Sequence, residues 1–580
     1  MKRLLLLVSF LALMLTSSQA QQITVTVDSV GQLAQQLPDS IRYTMADLKI
    51  CGPLNGNDLK IIQLITNRLK ARKVNETVLT SLDLSEAIIK EGKGNFRTSA
   101  DMLPAAMFLN CKALERVVLP KATPGISRSC FSGCVSLKEV IIPDESTVIN
   151  DYAFNGCISL SEIKMPISLT AVGKHAFEGC RSITSVTLPE TVTSIGAYAF
   201  SNCGALEKVA INSNISRIEN ATFQGCERLK SIHLPEFVTS IGNEAFKGCI
   251  SMETIEMPEA ISSIGNSAFE NCTNLRSIEM ALASRIGSDA FKGCLSLTSV
   301  EIENAARIGN NAFEDCSGLA TVSIDGTMNE VGNEMFAGCT NLQSVSLPSS
   351  VKSIGSRAFY ECKSLPNIDL PEGLTRIHDH AFENCASLTH IYIPNLVKQM
   401  GSDTFENCAS LDSVFIQGFV DKIESDVFRY CHSLRIVVLP ISVKSIGDNA
   451  FQQCASLSTI NLPISVTSIG DNAFEKCVSL TYVAIPAACT AIGSDAFREC
   501  SALYHLEFPA ALKKIGGNAF TKCVSLREIF TNAPLPPAIS NSTFKNVIMN
   551  ACKLYVPKGA RPNYRNNKSW SKFPQIMEVQ

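Results

Sequence analysis

The chain has 580 residues, 46% of them hydrophobic and only 18% charged, with a formal net charge of -3. That composition is too apolar for a disordered chain and supplies material for a large core. The near-neutral charge excludes a global attraction to nucleic acid or to an anionic membrane.

The chain opens on Lys2 and Arg3, an apolar run from Leu4 to Leu15, and a small-residue cleavage pattern at Ser18-Gln19-Ala20. This is the make-up of a secretory signal over residues 1–20, and its apolar run of about a dozen residues falls short of the ~20 that a membrane span needs. No second run of spanning length is present, and the mature chain is expected to begin near Gln21.

Residues 21–78 carry no repeat. Ile23 to Val27 alternate with the period of a strand. A helix is expected from Asn57, read as its N-cap, with Leu59, Ile62, Ile65 and Leu69 on one side. The segment reads as a small α/β cap over the first coil of a repeat array.

From residue 79 to residue 531 the chain repeats. Leu79, Leu82 and Leu84 already have the strand spacing, and F-x-x-C then recurs nineteen times, from Phe108/Cys111 to Phe520/Cys523. The step is 23 residues except for two steps of 22, Phe269 to Phe291 and Phe291 to Phe313. One such unit cannot bury its own apolar side, whereas stacked units can, so the period predicts a mainly β solenoid of 22–23-residue coils.

Within the unit that starts at Pro463, Leu480, Val483 and Ile485 are expected to face inward and Tyr482 and Ala484 outward. Pro486 ends the strand because it has no N–H to give to a ladder. Gly470 and Gly493 are read as permissive turns. The small Ala473 lets backbones approach, and the phenylalanines, Phe246, Phe269, Phe291 and Phe313 among them, form an internal spine.

Nineteen of the 23 cysteines share one repeat position, and Cys51, Cys130, Cys489 and Cys552 lie outside it. Many cysteines in an exported chain ordinarily suggest disulfides, and a metal is a further reading, but there is no C-x-x-C pair and no Cys/His spacing for one. A ladder of reduced, buried thiols fits better, with Cys249, Cys272, Cys294 and Cys316 as examples, each a small hydrophobe whose S–H can serve a backbone carbonyl.

The unit L-P-x-S-V-T-S-I-G-x-x-A-F-x-x-C-x-S-L-x-x-I resembles the BspA-like leucine-rich repeat family of bacterial surface proteins over roughly residues 102–531. The resemblance implies a right-handed solenoid with a parallel sheet on its concave face, export, and adhesion to host proteins or other cells. It transfers no contact residue. At the far end, Ala533-Pro534-Leu535-Pro536-Pro537 breaks the pattern, Phe544 is a degenerate last repeat, and residues 532–580 read as a non-repeating cap. The arrangement is similar to exported proteins of Bacteroides-type bacteria, without an LPxTG sorting signal or a terminal apolar anchor.

Chemistry has few footholds. There is no G-x-S-x-G, no phosphate loop and no H-E-x-x-H, so no catalytic residues, metal or cofactor are expected. His378-Asp379-His380 is the one close histidine pair, and nothing nearby in sequence completes a site. Asn75 begins a glycosylation sequon, which matters little if the chain is bacterial, as the resemblance implies.

Binding candidates are outward strand positions. Glu256, Glu279 and Glu301 occupy one position in consecutive coils, either a solvated acidic stripe or a seat for a basic partner or calcium. The same position later reads Tyr392, Phe415 and Val438, flanked by His390, Ile436, Tyr482, Tyr504 and His505. Apolar groups there either meet a protein or glycan partner or are shielded by curvature and loops. The expected role is a monomeric binding surface for an extracellular or host protein. A glycan-binding accessory protein and a structural envelope scaffold are the alternatives.

Overall fold

The computed structural model describes residues 22–69, 77–92, 94–280 and 282–579. The expected signal and Asn75 lie outside these residues. The chain divides into two compact units, Met1–Pro258 and Glu259–Gln580.

In the first unit the strands Ile23–Thr26, Asp47–Leu54, Ser81–Asp83, Arg116–Val118 and Glu139–Ile141 pair in parallel, one after the other. The non-repeating start is therefore built into the same ladder as the first coils. A second parallel ladder, through Gly125–Ile126, Val148–Ile149, Ala171–Val172 and Ser194–Ile195, carries the short V-x-x-I-G segments. Both ladders are parallel because each coil returns the chain to the same phase one repeat later.

The helix spans Gly56–Thr66 and its N-cap is Asn55, two residues before the expected Asn57. Asn55 closes a capping box with Asp58, and the buried Asp58 carboxylate also accepts from the N–H groups of Gly31 and Leu33. Leu59, Ile62 and Ile65 are buried as expected, but Leu69 lies beyond the helix and is exposed. The helix end meets the first coil where Cys111 Sγ donates to Thr66 Oγ1 at 3.4 Å.

The second unit has the same construction. Its first ladder includes the group His390–Ile393, Ser413–Ile416 and Ile436–Val438, and the group Tyr482–Ala484, His505–Phe508, Glu528–Thr531, Lys553–Val556 and Gln575–Glu578. The last two strands extend the ladder beyond the repeats into residues 532–580. There Phe544 stacks on Phe520 at 5.3 Å, and the buried Trp570 covers it edge-on while its indole N–H donates to Pro537 O.

Inside each unit the repeat phenylalanines stack. Phe108 through Phe246 are 5.1–5.7 Å apart ring to ring in the first. Phe269, Phe291, Phe313 and their successors stack likewise in the second. All these rings are fully buried. All 23 cysteines are free. The repeat thiols donate to the carbonyl of the phenylalanine one coil back, as from Cys134 to Phe108, Cys249 to Phe223, Cys294 to Phe269 and Cys316 to Phe291, at 2.9–3.2 Å. Cys130 takes the place of the small alanine before Phe131, and Cys489 that of a buried valine.

The turn glycines depart from expectation. Gly470 and Gly493 do not have positive φ, so conformational freedom is not their role. A Cβ on Gly470 would come within 2.4 Å of Asp448 Oδ1 and 2.7 Å of its backbone N, so the adjacent coil leaves no room for a side chain. The left-handed residues sit instead two positions before and two after each phenylalanine, as at Asn472 (φ 54) and Lys476 (φ 61). Gly470→Ala should therefore lower stability by about 1–3 kcal/mol. Asn472→Gly should leave it nearly unchanged, because relief of the left-handed strain offsets glycine's extra entropy loss. Urea midpoints of the two variants check this, and the reverse order would contradict the assignment.

Candidate functional site

Strand pairing sets Tyr392, Phe415 and Val438 side by side on three consecutive coils, with His390, Ser413 and Ile436 in the neighbouring row. Tyr392, Phe415, Ile436 and Val438 are all exposed, and the Tyr392 and Phe415 rings lie 6.5 Å apart. His390 is also exposed, its Nδ1 3.0 Å from Thr389 Oγ1. The inward partners Ile391, Val414 and Val437 are buried, so the strand period leaves these groups no core to enter.

The strand period does not announce a second apolar row. Leu396, Phe419, Ile441 and Ile464 lie in the loops that come after these strands or after the equivalent segment of the next coil, and Phe419, Ile441 and Ile464 are 70%, 73% and 71% exposed. They sit three or four residues beyond the strand row, and the loop backbone is held to the next coil, as where Ser465 Oγ donates to Ile441 O at 2.6 Å. Their signal in the sequence is a large apolar residue one or two positions before the buried Val397, Val420, Val443 and Val466.

Tyr482, Tyr504 and His505 do not join this patch. They lie in a later group of strands, joined to the intervening coil by the single bridge Thr459↔Tyr482. There the rings of Tyr482 and His505 are 5.4 Å apart, those of His505 and Phe530 5.0 Å, and those of Phe530 and Tyr555 4.3 Å. His505 stands 3.3 Å from both Glu528 Oε2 and Glu507 Oε1. Phe530 and Tyr555 escape the sequence reading because their segment reads as the end of the repeat and the cap.

Glu256 closes the first unit's strand Thr254–Glu256 and is exposed, with His233 Nδ1 2.7 Å from its carboxylate. Glu279 and Glu301 belong to the second unit and are exposed, and the strand neighbour that comes after Glu301 is Ser323. Among the described residues no group of three or more His, Cys, Asp or Glu side chains is arranged to hold a metal. His380 turns to Glu383 at 2.7 Å and Asp403 at 3.9 Å, while Asp379 accepts from the Ser402 N–H.

The turn side carries features that sequence reasoning missed. In the first unit Tyr152, His175 and Tyr198 stack face to face at 4.6 and 4.7 Å, each at the left-handed position two before a repeat phenylalanine. In the second unit Glu383, Asp403, Glu406, Asp426 and Arg429 crowd together, and Arg429 reaches Glu406 at 3.5 Å and Asp426 at 3.2 Å. Aligning the repeats on their phenylalanines exposes both, since stacked residues share a repeat phase.

Burial pushes the Glu406 carboxyl up to about 7, and the neighbouring Asp403, which shares a hydrogen bond with it and repels its charge, adds to the rise. A carboxyl raised in the folded chain holds its proton longer there than when unfolded. Its contribution is complete below the ordinary carboxylate pKa of 4.5 and is lost as pH rises through about 7. Glu406→Gln should accordingly flatten the fall in melting temperature between about pH 5 and pH 8, leaving the variant more stable than the parent at the upper end. An unchanged slope would show that Glu406 is ionised throughout.

No helix among the described residues is long and apolar enough to cross a membrane. No curated protein matches the chain. Among solved structures, a leucine-rich repeat protein from Bacteroides ovatus is 24% identical, covering 78% of this chain and 87% of its own, with a TM-score of 0.29. A leucine rich cell surface protein from Faecalibacterium prausnitzii is 25% identical over 60% of this chain and 87% of its own, with a TM-score of 0.33. A leucine rich repeat protein from T. pallidum is 30% identical over 28% of this chain and 72% of its own, with a TM-score of 0.25. The family model for the BspA type leucine rich repeat region, which spans six copies, matches residues 101–229, 193–320, 306–435 and 421–550. With its repeats covered almost from end to end, the chain belongs to the BspA-type leucine-rich repeat family.

Proposed function

We propose that this chain is an exported repeat protein, at the cell surface or in the periplasm, that works as a monomer by binding a macromolecular partner and not by catalysis. The observation that carries the reading is the pair of apolar rows in the second unit, Tyr392, Phe415, Ile436 and Val438 on the strands and Leu396, Phe419, Ile441 and Ile464 on the loops. Exposed apolar groups that recur in successive coils have no core to enter and are the kind of surface that marks a contact. Aromatic groups at the centre of such a patch supply anchors of the kind that dominate protein binding energies. Export rests on the signal pattern of residues 1–20.

A second reading has its own observation. The exposed or half-buried rings of Tyr482, Phe530 and Tyr555 lie on a strand face that also bears the acceptors Glu507 and Glu528, a combination that suits stacking on a sugar with hydrogen bonds to its hydroxyls.

Binding of residues 21–580 to an array of matrix proteins and polysaccharides separates these readings. The array should also be probed with Tyr392→Ala/Phe415→Ala/Val438→Ala and Phe419→Ser/Ile441→Ser. A protein captured by the parent and lost at least tenfold in both variants is the expected result. A polysaccharide hit insensitive to both variants moves the function to the later aromatic group. No capture by folded protein contradicts the binding role and leaves an envelope scaffold.

A further inference from the structure

Charge is distributed unevenly along the chain. Residues 532–580 contain seven Lys or Arg and a single acidic residue, Glu578, although the whole chain has a net charge of -3. The non-repeating residues 21–78 hold seven and five, so the imbalance is not a property of chain ends in general. All seven cations are exposed, and none has an ion-pair partner among the described residues. The one acid is already engaged, since Glu578 Oε1 accepts the N–H of Gly559 at 3.1 Å and of Arg561 at 3.2 Å.

Packing turns four of these cations outward along one segment. The helix Arg561–Arg565 and the 3-10 turn Trp570–Lys572 are pinned by rings that point inward. Tyr564 and Trp570 are fully buried, with Tyr564 Oη donating to Ala533 O at 2.9 Å and the indole N–H to Pro537 O at 2.8 Å. Arg561 and Arg565 lie one helical turn apart and are left outside. Lys568 and Lys572 follow on either side of Trp570, and Lys572 Nζ donates to a neutral partner, Asn541 Oδ1, at 3.0 Å. Exposed Asn566 and Ser571 stand among them.

The end of a repeat array needs a polar outer face, but charges of mixed sign meet that need without self-repulsion. A field of one sign gathers counter-charged partners instead. The chemistry of the segment narrows the partner. Tyr564, Trp570 and Phe573 are all buried, so no ring is free to stack on the bases of a single-stranded nucleic acid. The same burial leaves no large side chain of the segment to enter a lipid surface. Neutral amide and hydroxyl groups between the cations suit sugar hydroxyls. We propose that the outer side of residues 561–572 binds an acidic polysaccharide, with its carboxylates at Arg561, Arg565, Lys568 and Lys572 and its hydroxyls at Asn566 and Ser571. The site is separate from the apolar rows and from the rings of Tyr482 and Phe530, and it stands whatever those bind.

Polygalacturonate is the probe, titrated against residues 21–580 at ~50 mM salt. The parent should bind, and affinity should fall as salt rises because exposed charges are screened. Arg561→Gln/Arg565→Gln/Lys568→Gln/Lys572→Gln should weaken binding by about tenfold or more. Lys112→Gln/Lys121→Gln/Lys174→Gln/Lys230→Gln, which removes the same charge from exposed positions of the first unit, should stay within about twofold of the parent. If the first variant does not fold, Arg561→Gln/Arg565→Gln should show a smaller loss in the same direction. No binding by the parent, or equal losses in the two fourfold variants, overturns the proposal. So does equal binding of neutral dextran, which a ring-stacking site would hold without charge. Tighter binding of poly(dT) or of phosphatidylglycerol vesicles also overturns it and moves the partner to a nucleic acid or a membrane.

Discussion

Each repeat phenylalanine carbonyl has two lone pairs and no water to satisfy them. One is taken by the N–H of the cysteine in its own coil and, from Phe108 to Phe223 and from Phe269 to Phe497, the other by the S–H of the cysteine one coil on. Phe359 O, for example, accepts Cys362 N–H and Cys385 Sγ–H, both at 3.2 Å. This explains a cysteine where either a plain hydrophobe or a plain hydroxyl would serve less well. Valine would leave the second lone pair unpaired, at a cost of about 1–3 kcal/mol, and serine would bring a more polar group into a wholly apolar interior. Burial pushes the Cys385 thiol up to about 12. The reactive thiolate is thereby suppressed.

The phenylalanine and cysteine positions recur from coil to coil, whereas the outward strand positions change in polarity and size. The same strand position that holds Glu301 and Ser323 holds Tyr392, Phe415 and Ala484 later on. The apolar rows depart from the repeat in side-chain chemistry, while the strands under Tyr392, Phe415 and Val438 stay paired.

Much of the fold is legible because the stacking period is written into the chain. Leu480, Val483 and Ile485 are buried and Tyr482 and Ala484 exposed, as their alternation requires. Local chemistry is less legible. Gly470 reads as a turn residue, but its constraint comes from Asp448 in the preceding coil, which no single-repeat reading shows. Asn57 is a plausible cap, but Asn55 wins because Asp58 completes the reciprocal bond. Of the candidate site, the Tyr392 row can be read from strand phase. The Phe419 row cannot, because loop residues have no period that announces their exposure.

A count of free thiols on residues 21–580 prepared without reductant, native and in denaturant, at about pH 8 tests the thiol ladder most directly. The ladder predicts that all 23 cysteines react once the chain is unfolded, and that native protein exposes no repeat cysteine, with the half-buried Cys51 as the sole site of appreciable labelling. A denatured count short by two or more, or rapid native labelling of the repeat cysteines, would contradict it, since neither paired nor open sulfurs can donate to the phenylalanine carbonyls.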